Sequence, residues 1–298
     1  MKKILVFCLV FFASIMAPTM TLAGPSLEIS INEWDQTGSF DYTLYYPNSS
    51  RVISKVCLPQ DQLRGILNLK YHLANEKDFI KLRFGQSMIE NKGRGYDSDW
   101  SSQVSDAMTD YGELDAYGNQ KIIAIHFGTA LLKNEAHQTN LLLGWLQQET
   151  TNELKNIVYH RSEGIDIGDQ PQSDNGSYLD GEFSGLTLGI NDDLFLRANL
   201  KLTTELSLLF LNTEAYGHWA NHDPAWNWKD TGKTVGYMAD IGLKYAFNSN
   251  IHAELGYCYY YAKANECKET LNGTMLPQLV NLEYQQKGWH LGLVMLFK

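Results

Sequence analysis

From Gly236 to Phe247 the chain alternates with a period of two. Tyr237, Ala239, Ile241, Leu243, Tyr245 and Phe247 fall on one side, and Gly236, Met238, Asp240, Gly242, Lys244 and Ala246 on the other. Successive strand side chains point to opposite faces, so this segment predicts a strand with one apolar face and one polar or small face. A helix would scatter the same residues around its circumference. The next stretch repeats the pattern, with Ile251, Ala253, Leu255, Tyr257, Tyr259 and Tyr261 against His252, Glu254, Gly256, Cys258 and Tyr260. At the end of the chain Trp289, Leu291, Leu293, Met295 and Phe297 oppose His290, Gly292 and Lys298.

Read throughout, the alternation predicts ten strands, over 27–40, 62–74, 79–95, 120–133, 139–157, 181–193, 196–215, 233–248, 251–265 and 284–298. The connections alternate in length. Phe247–Ile251 and Asp192–Leu196 are tight, whereas 96–118, 158–180 and 216–232 are long and polar. Short turns on one side and long loops on the other are what an outer-membrane barrel produces, and an even number of closed strands leaves no exposed edge. The fold class predicted is therefore all-β, a ten-stranded antiparallel transmembrane β-barrel. A secreted β-sandwich is the other reading, but it leaves ten long polar second faces without a lumen to line.

The start of the chain reads differently. Lys2 and Lys3 precede an apolar run from Ile4 to Met16, and Thr21-Leu22-Ala23 ends in a small residue. That is the pattern of a secretory signal peptide over residues 1–23, with a retained helical anchor as the alternative. Residues 24–298 then form one barrel domain, with no internal repeat or linker. Beyond the leader no segment has the roughly 20 continuous apolar residues of a membrane helix, which says nothing against strands of about 10 residues. The 17 Tyr and 7 Trp suit interfacial girdles. A net charge of −10 excludes the clustered cations that bind nucleic acid. After Cys8 leaves with the leader, Cys57, Cys258 and Cys267 are an odd set, so at least one lacks an internal partner. The dispersed His126, His137, His160, His252 and His290 assemble no metal spacing, and no Gly-rich phosphate loop opens a helix, so no cofactor is expected.

The sharpest local feature is Gly93-Arg94-Gly95-Tyr96-Asp97-Ser98-Asp99-Trp100. On a continuing strand Asp97 and Asp99 point the same way, and two carboxylates on one face can share a proton and hold a water. By spacing alone the same residues also suit a turn or a cation. Together with Gly144-Trp145 on the fifth strand and Ala215-Tyr216-Gly217-His218-Trp219 closing the seventh, this motif resembles the omptins, ten-stranded outer-membrane endopeptidases. It is similar, too, to the omptin-related outer-membrane proteins of environmental chlamydiae.

The resemblance implies that Asp97 and Asp99 match the first catalytic couple and His222, before Asp223-Pro224, the family His. The carboxylate that should hold that His then falls on Ala220, which has none; Asp223, Asp230 or His218 would have to substitute. The family also holds lipopolysaccharide through a Tyr-x-Glu-x-Arg run. The matching Trp145-Leu146-Gln147-Gln148-Glu149 puts a carboxylate where the Arg should meet a phosphate. The expected role is a structural or receptor-like barrel of the bacterial outer membrane, surrounded by outer-membrane lipid. Its alternatives are an endopeptidase using Asp97, Asp99 and His222 on peptide or protein substrates at the extracellular loops, and a narrow diffusion pore. Oligomeric state and substrate are not encoded in any motif.

Overall fold

The computed structural model describes residues 26–75, 77–100, 107–172, 176–220 and 224–297. Residues 1–23 and His222 lie outside them. The described chain is all-β, with strands β1 (Ser26–Tyr45), β2 (Val52–Pro59), β3 (Gln62–His72), β4 (Asp78–Ser87), β5 (Asn91–Asp99), β6 (Asp110–Lys133), β7 (His137–Ser162), β8 (Ile165–Pro171), β9 (Tyr178–Arg197), β10 (Leu200–Trp219), β11 (Trp226–Ala246), β12 (Ile251–Leu271) and β13 (Thr274–Phe297). Every pairing is antiparallel, and β1 closes onto β13 from Leu27↔Phe297 to Tyr45↔Leu279. The result is a closed ring of ten columns, two of which are interrupted.

The interruptions explain why twelve strands fill ten places, with β8 added outside the ring. The lower half of β1 pairs with β3 and its upper half with β2. The lower half of β6 likewise pairs with β4 and its upper half with β5. So 62–72 is the lower part of a column that begins at Val52, ten residues before the predicted start. Pro59 cannot donate a ladder hydrogen bond, and the chain steps there, with the Gln60 N–H donating to Gly38 O at 2.8 Å. The polar stretch 158–180, predicted as a loop, contains the end of β7 and β8, which pairs only with that end. Several strands also run beyond their predicted ends: β5 to Asp99, β10 to Trp219 and β12 to Leu271.

The alternation sorts as the sequence predicts. Tyr237, Ile241, Leu243 and Tyr245 of β11 are exposed on the outer face, whereas Asp240 and Lys244 turn inward. Leu186, Leu188, Leu206, Leu208, Ile123 and Ile125 continue the outward apolar belt around the wall. A band of this kind is stable only against hydrocarbon. Above it the outer face becomes polar, for example Lys121 and Asn119 on β6 or Glu214 on β10.

Inside, three layers fill the lumen. Nearest the short turns is an ionic layer: Lys201 to Asp193 at 2.8 Å, Lys244 to Glu28 at 3.0 Å, His290 to Asp240 at 3.1 Å, and Lys81 paired with Glu205. Above it lies an amide layer. Gln120 Nε2 donates to Gln60 Oε1, Gln286 Nε2 to Gln120 Oε1 and Gln60 Nε2 to Asn152 Oδ1, each at 2.7 Å. Higher still is an apolar core in which Phe40, Phe183, Tyr260 and Tyr284 pack ring to ring at 5.5–6.4 Å with Leu58, Leu114 and Leu282. About ten strands leave a lumen that side chains largely fill, and here a polar cavity remains within the ionic layer.

Candidate functional site

The long-loop end of the barrel holds the motif residues. On β5 the parity puts Lys92, Arg94 and Tyr96 outside, where Arg94 pairs with Glu113 at 2.9 Å and Lys92 with Asp115 at 3.3 Å. Gly95, Asp97 and Asp99 therefore face inward. The strand does continue through the motif, but the setting is not a solvated mouth. Asp97 is 6 % exposed, because the wall of β2, β5 and β6 rises above the apolar core and Asp97 stands in it beside Val56.

Asp97 is held from the neighbouring hairpin. Across β6 it faces Gly112, and Gly112 in turn faces Tyr159 of β7. A Cβ on Gly112 would come within 3.0 Å of the Tyr159 ring. The missing side chain is the space through which Tyr159 reaches Asp97, donating its hydroxyl to Oδ2 at 3.1 Å. The Trp219 indole at the end of β10 lies beside the same hydroxyl. Tyr159 thus ties Asp97 to the inner wall next to Trp219.

A second acidic pair faces the lumen at this end. Asp230 of β11 pairs across the ladder with Ala215 and with Glu269 of β12. Asp230 is fully buried, and neither carboxylate oxygen has a hydrogen-bond partner among the described residues. Glu269 accepts from the Tyr42 hydroxyl at 2.5 Å, and the Tyr42 ring lies 6.2 Å from Trp228. Trp228 fits because Gly217 opposite has no side chain; a Cβ there would meet the indole at 1.9 Å.

The electrostatics follow from burial. Removal from water, then the Asp99 charge, push Asp97 up to about 8. Burial and Asp110 raise Asp99. Burial, then Glu269, take Asp230 up to about 8, and burial raises Glu269. Burial and then the neighbouring acids lift Tyr42 well above the usual phenol range, so it acts as a donor and not as a base. Two half-protonated acid pairs can hold a water or a cationic group. Among the described residues no three His, Cys, Asp or Glu side chains have metal-binding geometry.

His218 cannot join this arrangement. It lies on the outer face between inward Gly217 and Trp219, its Nδ1 2.7 Å from Asn227 Oδ1 and its ring stacked on Tyr178 at 5.6 Å. Ala220 donates its N–H to Ser177 Oγ at 3.0 Å. His222 lies outside the described residues, so Asp97 and Asp99 are the two predicted site residues the structure brings together. Asp230, named only as a substitute partner, is on the inner face on the far side. The sequence reading missed Tyr42, Tyr159, Trp219 and Glu269. Their inward parity, extended to the true strand ends, is the signal that finds them.

On the outer wall Glu149 sits just above Trp145. Gln147 Nε2 donates to Glu149 at 2.8 Å and to Glu182 at 3.0 Å, so this surface is acidic. Cys57, Cys258 and Cys267 are free thiols.

No family model matches the chain, and no curated protein matches its sequence. Among solved structures it is similar to the crystal structure of outer membrane protease OmpT from Escherichia coli, with a TM-score of 0.81 over 94% of this chain and 99% of that one, at 14% identity. It also matches the transport unit of the autotransporter AIDA-I from Escherichia coli, with a TM-score of 0.41, 10% identity and coverage of 94% and 92%. The translocator domain of autotransporter NalP from Neisseria meningitidis gives a TM-score of 0.36, 10% identity and coverage of 99% and 95%. The ten-column ring and the inward acid pair on β5 thus belong to a chain that has the fold of the OmpT barrel.

Proposed function

We propose that this chain is a sealed, non-proteolytic barrel of the bacterial outer membrane, structural or receptor-like in role, whose outer end binds partners without cutting them. The observation that carries this reading is the hydrogen bond that Tyr159, beside Trp219, donates to Asp97. In the mechanism that the family resemblance implies, a water is polarised between a carboxylate pair and an imidazole oriented by its own carboxylate. Here the inner positions at the end of β10 are Ala215, Gly217 and Trp219. The Tyr159 phenol supplies a hydrogen-bond donor to Asp97, and neither it nor the Trp219 indole takes up a proton near neutrality. Fold alone does not transfer activity.

The endopeptidase reading keeps one observation in its favour: Asp97 and Asp99 share the inner face, and the Asp99 charge raises the proton affinity of Asp97. The two readings part in one assay. The refolded full-length barrel, in detergent and with lipopolysaccharide added, is incubated with peptides bearing dibasic sites. No cleavage above the rate of the Asp99→Asn variant supports the binding role. Rapid cleavage lost in both Asp99→Asn and His222→Ala makes the chain a protease.

A further inference from the structure

Arg64 is a buried interior cation without an ion pair among the described residues. Arg64, on the inner face of β3 in the amide layer, is 2 % exposed. Its Nη2 donates to Gln36 Oε1, while Nε and Nη1 have no hydrogen-bond partner among the described residues. The ionisable groups acting most strongly on it are Tyr284, Cys258, Arg83 and Tyr260; none is a carboxylate, and Arg83 repeats its sign. Three of the cations below are matched, while Lys70 lies 4.1 Å over the Phe79 ring. Arg83 lies 3.7 Å from Glu205, Lys201 2.8 Å from Asp193 and Lys244 3.0 Å from Glu28.

The other loose polar groups beside Arg64 point to the same ligand chemistry. Trp34 is its cross-strand partner, and the guanidinium carbon sits 5.7 Å from the indole ring centre. The Trp34 Nε1 donor and the Tyr260 hydroxyl have no partner among the described residues. The Tyr284 hydroxyl accepts from Gln148 Nε2 at 2.9 Å, which leaves its own proton available. Donors thus gather around a buried positive charge. The unpartnered acceptor of the layer, Gln286 Oε1, is an uncharged amide oxygen and cannot balance a guanidinium. A buried charge is tolerated when it is both paired and hydrogen-bonded, and the protein here supplies hydrogen bonds without the opposite charge.

We propose that Arg64, the Trp34 indole N–H and the Tyr260 hydroxyl form a binding site for a small monovalent inorganic anion of about chloride's size. The amide layer closes the site from above. Access comes from the polar cavity on the short-turn side, which Trp34, Arg83 and His290 line. The anion neutralises the Arg64 charge and locks the junction between the ionic and amide layers.

The test uses the whole refolded barrel. Crystals soaked in bromide should show an anomalous peak within hydrogen-bonding distance of Arg64. At constant ionic strength, the thermal unfolding midpoint should rise saturably in chloride or bromide relative to gluconate, with no matching rise in phosphate. Tyr260→Phe, which keeps the charge, should raise the half-saturating halide concentration several-fold. Arg64→Gln should abolish the response; should that variant fail to fold, the bromide map and Tyr260→Phe decide. Midpoints equal in chloride and gluconate with no bromide peak at Arg64 overturn the site, as does a response to phosphate alone.

Discussion

Two aspartates carry most of the chemistry at the outer end, and both are in the wrong place to be ionised. Asp97 and Asp230 have an ordinary value of 3.8 and are pushed up to about 8, chiefly by burial. The folded protein therefore keeps protons that the unfolded chain has released. The sign follows directly: this contribution to stability is full below about pH 4, falls as pH rises, and is gone above about pH 8. The outer end should resist urea better at pH 5 than at pH 8.5. Asn imitates the protonated acid, so Asp97→Asn and Asp230→Asn should flatten that slope and add about 1–3 kcal/mol each at pH 8.5. A profile that is unchanged in both variants would contradict the assignment. Asp97 and Asp99 are legible in sequence because they sit two apart on an alternating segment. Tyr159, Trp219 and Glu269 are not, since each reaches the site from a strand remote in sequence, through gaps left by glycines such as Gly112.

At the scale of the strand, parity decides which substitutions matter. Leu243 faces outward in the belt, and its neighbour Lys244 faces inward between Glu28 and Glu254. Leu243→Lys should cost about 2–4 kcal/mol if the residue lies near the membrane midplane, and less near the rim. Lys244→Met leaves two buried carboxylates without their cation and should cost about 3–5 kcal/mol. Refolding into lipid vesicles across a urea series measures both, and tolerance of either change at no cost would reverse the inside–outside assignment of β11. Where the period of two is unbroken, as in β10 to β13, strands are readable to within a few residues at their turn ends. It fails at Pro59-Gln60-Asp61 and Met88-Ile89-Glu90, where a column steps without reversing direction. Such a step looks in sequence like a turn, and β8, with only Ile165 and Ile167 on one face, is exposed throughout because it packs on no core.

For the whole molecule, what matters is what the closed wall encloses. The ring, its antiparallel order and the outward belt follow from the alternation and the rhythm of short and long links. The filling of the lumen does not, because inward residues meet across the barrel from strands far apart in sequence. Gln60, Gln120 and Gln286 illustrate this: three amides at separations of 60 and 166 residues make one layer. With an ionic layer below and an apolar core above, the described residues lead us to expect no continuous water path of channel width across the barrel. Steady conductance in planar bilayers tests this most directly. The packed lumen predicts a baseline no higher than protein-free lipid across ±100 mV, about 2.3 kcal/mol per elementary charge. Reproducible, long-lived open steps from the unmodified protein would contradict it and make the barrel a pore.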